Sequence, residues 1–235
     1  MHPGWDDDVA VSLRVDELVQ RAERLADQRP RTILGIVGAP GSGKSTLCQA
    51  LGAALGARAV IVGMDGFHLA DPVLEGLGRR DRKGAPDTFD VAGFVALLDR
   101  LRGAQDEVVY APEFDRSLEA AIAGAVPVPA TVPLVITEGN YLLHQADGWS
   151  SVRSRLDEVW FLDVPPVERV RRLVARRLSY GDPETAAHAW VLGVDEPNAA
   201  VVQVGRNTAD LIVNLHAERL DDPQPSPDGP SKETS

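Results

Sequence analysis

The sequence predicts an α/β fold, a mostly parallel five-stranded sheet held between helices. Three observations point there. Short apolar, β-branched runs alternate with amphipathic stretches, the pattern of strands buried on both faces and joined by crossover helices. A glycine-rich loop falls between the first strong strand and the helix after it. The chain has 235 residues, 44% hydrophobic and 25% charged, enough for one sizeable core and ordinary for a globular protein.

The elements follow in order. Val11, Val15, Leu18, Ala22 and Leu25 recur at helical spacing and predict an amphipathic helix over about 9–28, ended by Pro30. Residues 32–37 form a buried strand, 45–55 a helix and 59–62 a second strand. Residues 66–90, rich in glycine, proline and charge, read as irregular; 91–101 reads as a helix and 108–110 as a strand. Prolines dot 112–133, then 134–137 and 159–162 are strands. Helices are expected over 166–178, 183–193 and 197–205, and a last strand over 211–213. One domain therefore spans 1–220, and 221–235, Pro/Ser/Asp-rich with hardly an apolar residue, is expected to be a disordered acidic tail.

Charge and composition exclude several classes. Thirty-five acidic residues against 24 basic ones give a net charge of −11, a poor surface for phosphate backbones, so no nucleic-acid partner is expected. No apolar run reaches the roughly 18 residues of a membrane helix, and no membrane partner is expected. The early acids Asp6, Asp7 and Asp8 do not suit an export signal, and the single cysteine, Cys48, suits a reducing compartment; a cytoplasmic location is expected.

Gly38-Ala39-Pro40-Gly41-Ser42-Gly43-Lys44-Ser45 matches the pattern G-x-x-x-x-G-K-[ST] between a strand and a helix. Glycines let main-chain N–H groups converge on phosphate oxygens, and the helix start adds its positive end. Lys44 can reach the β- and γ-phosphates, and the Ser45 hydroxyl can ligate Mg²⁺. A nucleoside triphosphate is thus implied, but not what is done with it. The chain has neither the Asn-Lys-x-Asp motif of guanine specificity nor the Leu-Ser-Gly-Gly-Gln signature of transporter ATPases.

Met64-Asp65-Gly66-Phe67-His68 follows the second strand directly. Ligands of open parallel sheets lie beyond the carboxyl ends of strands, so Asp65 falls near the γ-phosphate, where it could accept a proton from an attacking hydroxyl. His68 is either a contact of acceptor or phosphate or a partly buried loop histidine. Glu138, at the tip of the 134–137 strand, can hold Mg²⁺ directly or through water. In the helix from Pro166, Val167, Val170, Val174 and Leu178 share one face, and Arg169, Arg172 and Arg176 fall opposite, a pattern usual for solvated surface. Arg79, Arg80, Arg82 and Lys83 form either a clamp for an anionic acceptor or an exposed loop.

Together, Gly38 to Thr46, the 64–68 segment, Gly84-Ala85-Pro86-Asp87-Thr88-Phe89-Asp90, Tyr110-Ala111-Pro112-Glu113-Phe114-Asp115-Arg116 and Thr137-Glu138-Gly139-Asn140-Tyr141 resemble the phosphoribulokinase/uridine kinase/pantothenate kinase family of P-loop kinases, over about residues 14–215. Within it they are most similar to the bacterial nucleoside- or fructose-type branch. The resemblance implies a P-loop NTPase fold with a mobile lid (about 166–195) and ATP-dependent phosphorylation of a small-molecule hydroxyl. It implies that Asp65 is the catalytic base. It places Asp87, Phe89 and Asp90 at the acceptor pocket, and Tyr110, Phe114 and Arg116 on an acceptor-contacting loop. It turns the arginine stripe into lid arginines over the phosphates, Arg172 and Arg176 foremost. Gly-Phe-His after Asp65, where many uridine kinases have Ser-Phe-Tyr, departs from the nucleoside pattern. Tyr141 faces either acceptor or core.

The expectation is therefore a Mg²⁺- and ATP-dependent kinase for a sugar or nucleoside, with Gly38–Thr46 on the nucleotide and Ser45 and Glu138 on the metal. Its partners would be a small-molecule acceptor and, at most, a second copy of the chain in a homodimer. A P-loop ATPase or a nucleotide-binding regulatory protein is the alternative.

Overall fold

The computed structural model describes residues 10–215. The expected acidic tail at 221–235 lies outside the described residues. A six-stranded parallel sheet forms the centre, in the order β1 (Val11–Leu13), β8 (Leu211–Leu215), β7 (Glu158–Leu162), β2 (Thr32–Gly38), β6 (Leu134–Gly139), β3 (Ala59–Gly63). Every residue of β2 is buried, as its unbroken apolar run requires of a strand covered on both faces. Helices α1 (Val15–Gln28) and α2 (Lys44–Leu55) pack on one face around Leu18, Leu34, Ile36, Leu51 and Trp160. The other face carries α4 (Val91–Gly103) and a cluster around Val37, Phe94, Tyr141, Trp149 and Phe161.

Register brings the functional ends together. Ile36 on β2 lies beside Glu138 on β6, and Glu138 lies beside Gly63 on β3. The loop after β2, the acid at the end of β6 and the turn after β3 therefore open at the same edge of the sheet.

Four expectations are corrected. The predicted 9–28 helix begins only at Val15: residues 11–13 are β1, paired in parallel with β8, and make the sheet six-stranded rather than five. Arg14 breaks the helical path with extended backbone (φ −86°, ψ 160°), and the Glu17 carboxylate caps its N–H at 2.8 Å. The strand predicted at 108–110 is β4 (Val108–Asp115), which leaves the main sheet to pair antiparallel with β5 (Ala120–Pro129). Pro112 sits where the register slips between Ala111 and Glu113, the place where a residue without an N–H does least harm. Within residues 66–90, read as irregular, a short helix α3 forms (Asp71–Gly76).

The fourth correction concerns α5 (Pro166–Ser179). Its inward face takes only half of the valine stripe: Val170 and Val174 pack with Leu173 against Ala187 and Val191, while Val167 and Leu178 are exposed, and Arg169, expected on the solvated side, is buried. The helix leans on the glycine-rich loop, not on the sheet, so Arg169 reaches the Pro40 carbonyl (3.3 Å) and the Glu196 carboxylate (2.8 Å). After it come α6 (Glu184–Trp190), a wider π-type turn over 191–195, and α7 (Glu196–Gln203).

Candidate active site

The converging strand ends border a cavity of about 670 Å³ with two lobes. The first is the glycine-rich loop. Gly41 has φ +79° and Gly43 φ +92°, and a Cβ on Gly41 would stand 2.9 Å from the Arg169 carbonyl, so only glycine lets α5 close on the loop. Lys44 begins α2 and is buried. Its Nζ donates to the carbonyls of Gly38 (2.8 Å) and Ala39 (3.4 Å) and to Oδ1 of Asn140 (2.8 Å). Burial pulls its pKa down, while the carboxylates of Glu138 and Asp65 pull it back up. The Ser45 hydroxyl donates to Glu138 at 3.2 Å. Burial raises the Glu138 pKa, opposed by the Lys44 ammonium.

A nucleotide phosphate and a divalent metal fit this lobe. Left-handed glycines clear the approach of an anion, an ammonium stands in it, and a hydroxyl already touches a carboxylate. Among the described residues no group of three or more His, Cys, Asp or Glu could hold a metal alone.

The second lobe is the turn after β3 and what faces it. Asp65 lines the cavity, and Arg116 approaches its carboxylate to 3.6 Å. Nδ1 of His68 lies 2.8 Å from the Asp65 carbonyl, which can only accept, so Nδ1 carries the proton and Nε2 is left as an acceptor. Phe89 and Phe114 hold the imidazole at centroid distances of 4.1 and 4.8 Å. Burial lowers the His68 pKa and keeps the ring neutral. Gly66 brings the turn against β4: a Cβ there would stand 2.6 Å from the Pro112 carbonyl.

The structure gathers at the cavity wall Pro40, Gly41, Gly43, Lys44, Ser45, Thr46, Asp65, His68, Phe89, Phe114, Arg116, Glu138, Arg172 and Arg176. Arg172 donates to Glu168 (2.8 Å) and reaches the Gly41 carbonyl at 3.4 Å. Gly38, Ala39 and Ser42 belong to the loop but do not line the cavity, and Ala39 and Ser42 are buried.

Four sequence candidates stand elsewhere. Asp90 caps α4 by accepting from the Gly93 N–H at 2.9 Å. Asp87 is paired with Arg79 and Arg82. Tyr141 is buried in the aromatic cluster and donates to the Gly84 carbonyl at 2.6 Å, anchoring the loop before Phe89. Tyr110 is 60% exposed on the outer side of β4 and does not line the cavity. None of these four lines the cavity.

Asn140 received no role from the sequence, yet it takes a hydrogen bond from the Lys44 ammonium. Its place two residues past Glu138, beyond a core strand tip, was the available signal. Lys83 and Glu119 also line the cavity, joined by a 2.8 Å bond from Nζ to the Glu119 carbonyl. No helix among the described residues is long and apolar enough to cross a membrane.

No family model matches the chain. Individual proteins do. It is 35% identical over 178 residues to a protein of Schizosaccharomyces pombe provisionally named uridine kinase C227.14, covering 71% of this chain and 74% of that protein. It is 34% identical to YggC of Escherichia coli, covering 80% and 79%. A crystal structure of a provisionally assigned fructose transport system kinase from Silicibacter sp. TM1040 superimposes with TM-score 0.76 at 43% identity, over 86% of this chain and 99% of that one. These relatives, the glycine-rich cradle and the acids at neighbouring strand tips agree: the chain belongs to the phosphoribulokinase/uridine kinase/pantothenate kinase family of P-loop kinases.

Proposed function

We propose that this kinase moves the γ-phosphoryl group of ATP to a hydroxyl of a small molecule of the sugar or nucleoside class. One observation carries the reading. Lys44, past the end of β2, and Asp65, past the end of β3 on the far side of β6, line a single cavity whose second lobe has aromatic walls and its own polar groups. A protein that only hydrolysed ATP would need no such lobe.

The residues divide the work. Main-chain amides of the loop and the Lys44 ammonium bind and orient the phosphates, and nucleotide binding exchanges one of the three carbonyl-type partners of Lys44 for a phosphate oxygen. The Asn140 amide is a side chain and the easiest of these to release. Ser45 and Glu138 would hold Mg²⁺, which when bound neutralises charge on the β- and γ-phosphates. The Asp65 carboxylate accepts the proton of the acceptor hydroxyl and aims its oxygen in line. His68 Nε2 accepts from a second hydroxyl, and Phe89 and Phe114 cover the apolar face of the acceptor. Arg172 and Arg176, on the α5 side, balance charge on the phosphoryl group as it moves. Closure of α5 and α6 as a lid excludes water, which would otherwise compete as acceptor.

The test is Asp65→Asn in a screen of purified protein for acceptor-dependent ATP consumption. The expected result is a fall in kcat of about 10²–10⁴-fold with ATP affinity nearly unchanged. Transfer at the wild-type rate would remove Asp65 from the role of base.

A further inference from the structure

We propose that the acceptor is an anion, a sugar or nucleoside carrying a carboxylate or a phosphate, and that Arg116 and Lys83 read this charge. The proposal rests on the kinase reading above and narrows it. The acceptor lobe is lined by three cations, Arg80, Lys83 and Arg116, against two carboxylates, Asp65 and Glu119, in a chain of net charge −11. His68 adds no charge, being held neutral by burial.

Two of these cations are partly committed. Arg80 and Lys83 both pair with Asp71 at 2.7 Å. Lys83 is nonetheless only 12% exposed at its side chain, lies 5.4 Å over the Phe114 ring, and bonds the Glu119 carbonyl. These two hydrogen bonds leave one of its three N–H donors for the cavity. Glu119 holds a left-handed backbone (φ +50°), unusual for a residue with a Cβ, in the hairpin turn that presents this carbonyl.

Arg116 is the sharper observation. Its side chain is 55% exposed and makes no hydrogen bond among the described residues; its one ion pair is the 3.6 Å approach to Asp65, longer than a hydrogen bond. A guanidinium offers five donors in a fork that suits carboxylate or phosphate, and here the fork is unfilled. For an uncharged acceptor such a residue would be a hindrance, since it competes with the hydroxyl for the Asp65 carboxylate. For an anionic acceptor it is an exchange: the guanidinium turns to the incoming anion and releases Asp65 for the hydroxyl. Acceptor charge and availability of the base are thereby coupled.

The experiment compares acceptors matched except for charge, with ATP and Mg²⁺: fructose against fructose 1-phosphate, glycerol against glycerate, uridine against uridine 5′-monophosphate. The carboxylate and phosphate arms distinguish the two anion types. In at least one pair the anionic member is expected to have kcat/KM higher by about tenfold or more. Arg116→Ala and Lys83→Met should then raise the KM of that anion about 10- to 100-fold, while kcat/KM for its uncharged partner does not fall by more than about twofold and, in Arg116→Ala, rises as Asp65 is released. Preference for the uncharged member throughout, or equal loss for both members in the variants, would overturn the proposal and leave the kinase reading standing. Nucleotide binding without transfer to any member would overturn the kinase reading and the proposal with it.

Discussion

The two lobes of the cavity are built in opposite ways. The phosphate lobe is nearly continuous in sequence, Gly38 to Thr46, with Glu138 and Asn140 added from the adjacent strand. Its cation is buried and surrounded by carbonyl-type oxygens at fixed distances. The acceptor lobe draws on three segments, 65–68, 80–89 and 113–119, that meet only through long-range contacts, and its cations are half-exposed or shared. Binding a triphosphate is the same problem in every such protein and is solved by a local motif. Choosing an alcohol differs each time, and is left to surfaces that can shift independently.

That contrast can be broken from either side. Lys44→Ala removes the ammonium of the phosphate lobe, and turnover with every acceptor is expected to fall by about 10³-fold or more, followed as ATP consumption. Loss confined to one acceptor would mean that the lobes are not separable in this way. Gly66→Ala strikes the other side. A Cβ would meet the Pro112 carbonyl at 2.6 Å, so the hairpin must move away from the turn that carries Asp65. Acceptor kcat/KM should drop about 10- to 100-fold, because small misplacements at a reacting centre are costly. ATP affinity, measured by calorimetry, should change little; an equal loss there would show the two lobes moving as one.

The smallest effect is on stability. Burial holds the His68 pKa below its usual 6.5, so the folded protein binds fewer protons there than the unfolded chain does. Its contribution is complete above about pH 6.5 and declines as pH falls toward the lowered value, at about 1.4 kcal/mol for each unit of depression. His68→Gln should flatten that part of the stability–pH curve, read from denaturant midpoints between pH 7.5 and 5. A curve unchanged by the substitution would mean that the ring is as well solvated folded as unfolded.

What could be read in the sequence follows the same division. The P-loop needs certain residue types at certain spacings, so it is visible without a fold. The positions of Asp65 and Glu138 needed one further step, that polar residues just past parallel strands face the ligand, and the register puts them there. Beyond that, local patterns misled. The valine stripe of α5 has the period of one buried face, but the helix meets the glycine-rich loop and α6, so Val170 and Val174 pack beside Leu173 while Val167 is exposed and Arg169 is buried. Val11 continued a helical rhythm through what is a three-residue strand, because pairing with β8 is decided some two hundred residues away. The small, uncharged residues and prolines of β5 gave no strand pattern. The resemblance sends Tyr110 toward the acceptor, but alternation along β4 turns it outward beside inward Val109 and Ala111. The tie between Lys83 and Glu119 is a meeting of distant segments with no spacing to announce it.

Strand β3 is the last in the sheet, with β6 as its single neighbour there. The turn bearing Asp65 therefore hangs from the margin, whereas the nucleotide loop springs from β2, flanked by β7 and β6. A shift of the margin to suit a bulkier or shorter alcohol strains one ladder of hydrogen bonds, while the same shift at the centre would strain two. New substrates can thus be acquired at the rim of this scaffold while the machinery that holds ATP stays mechanically undisturbed.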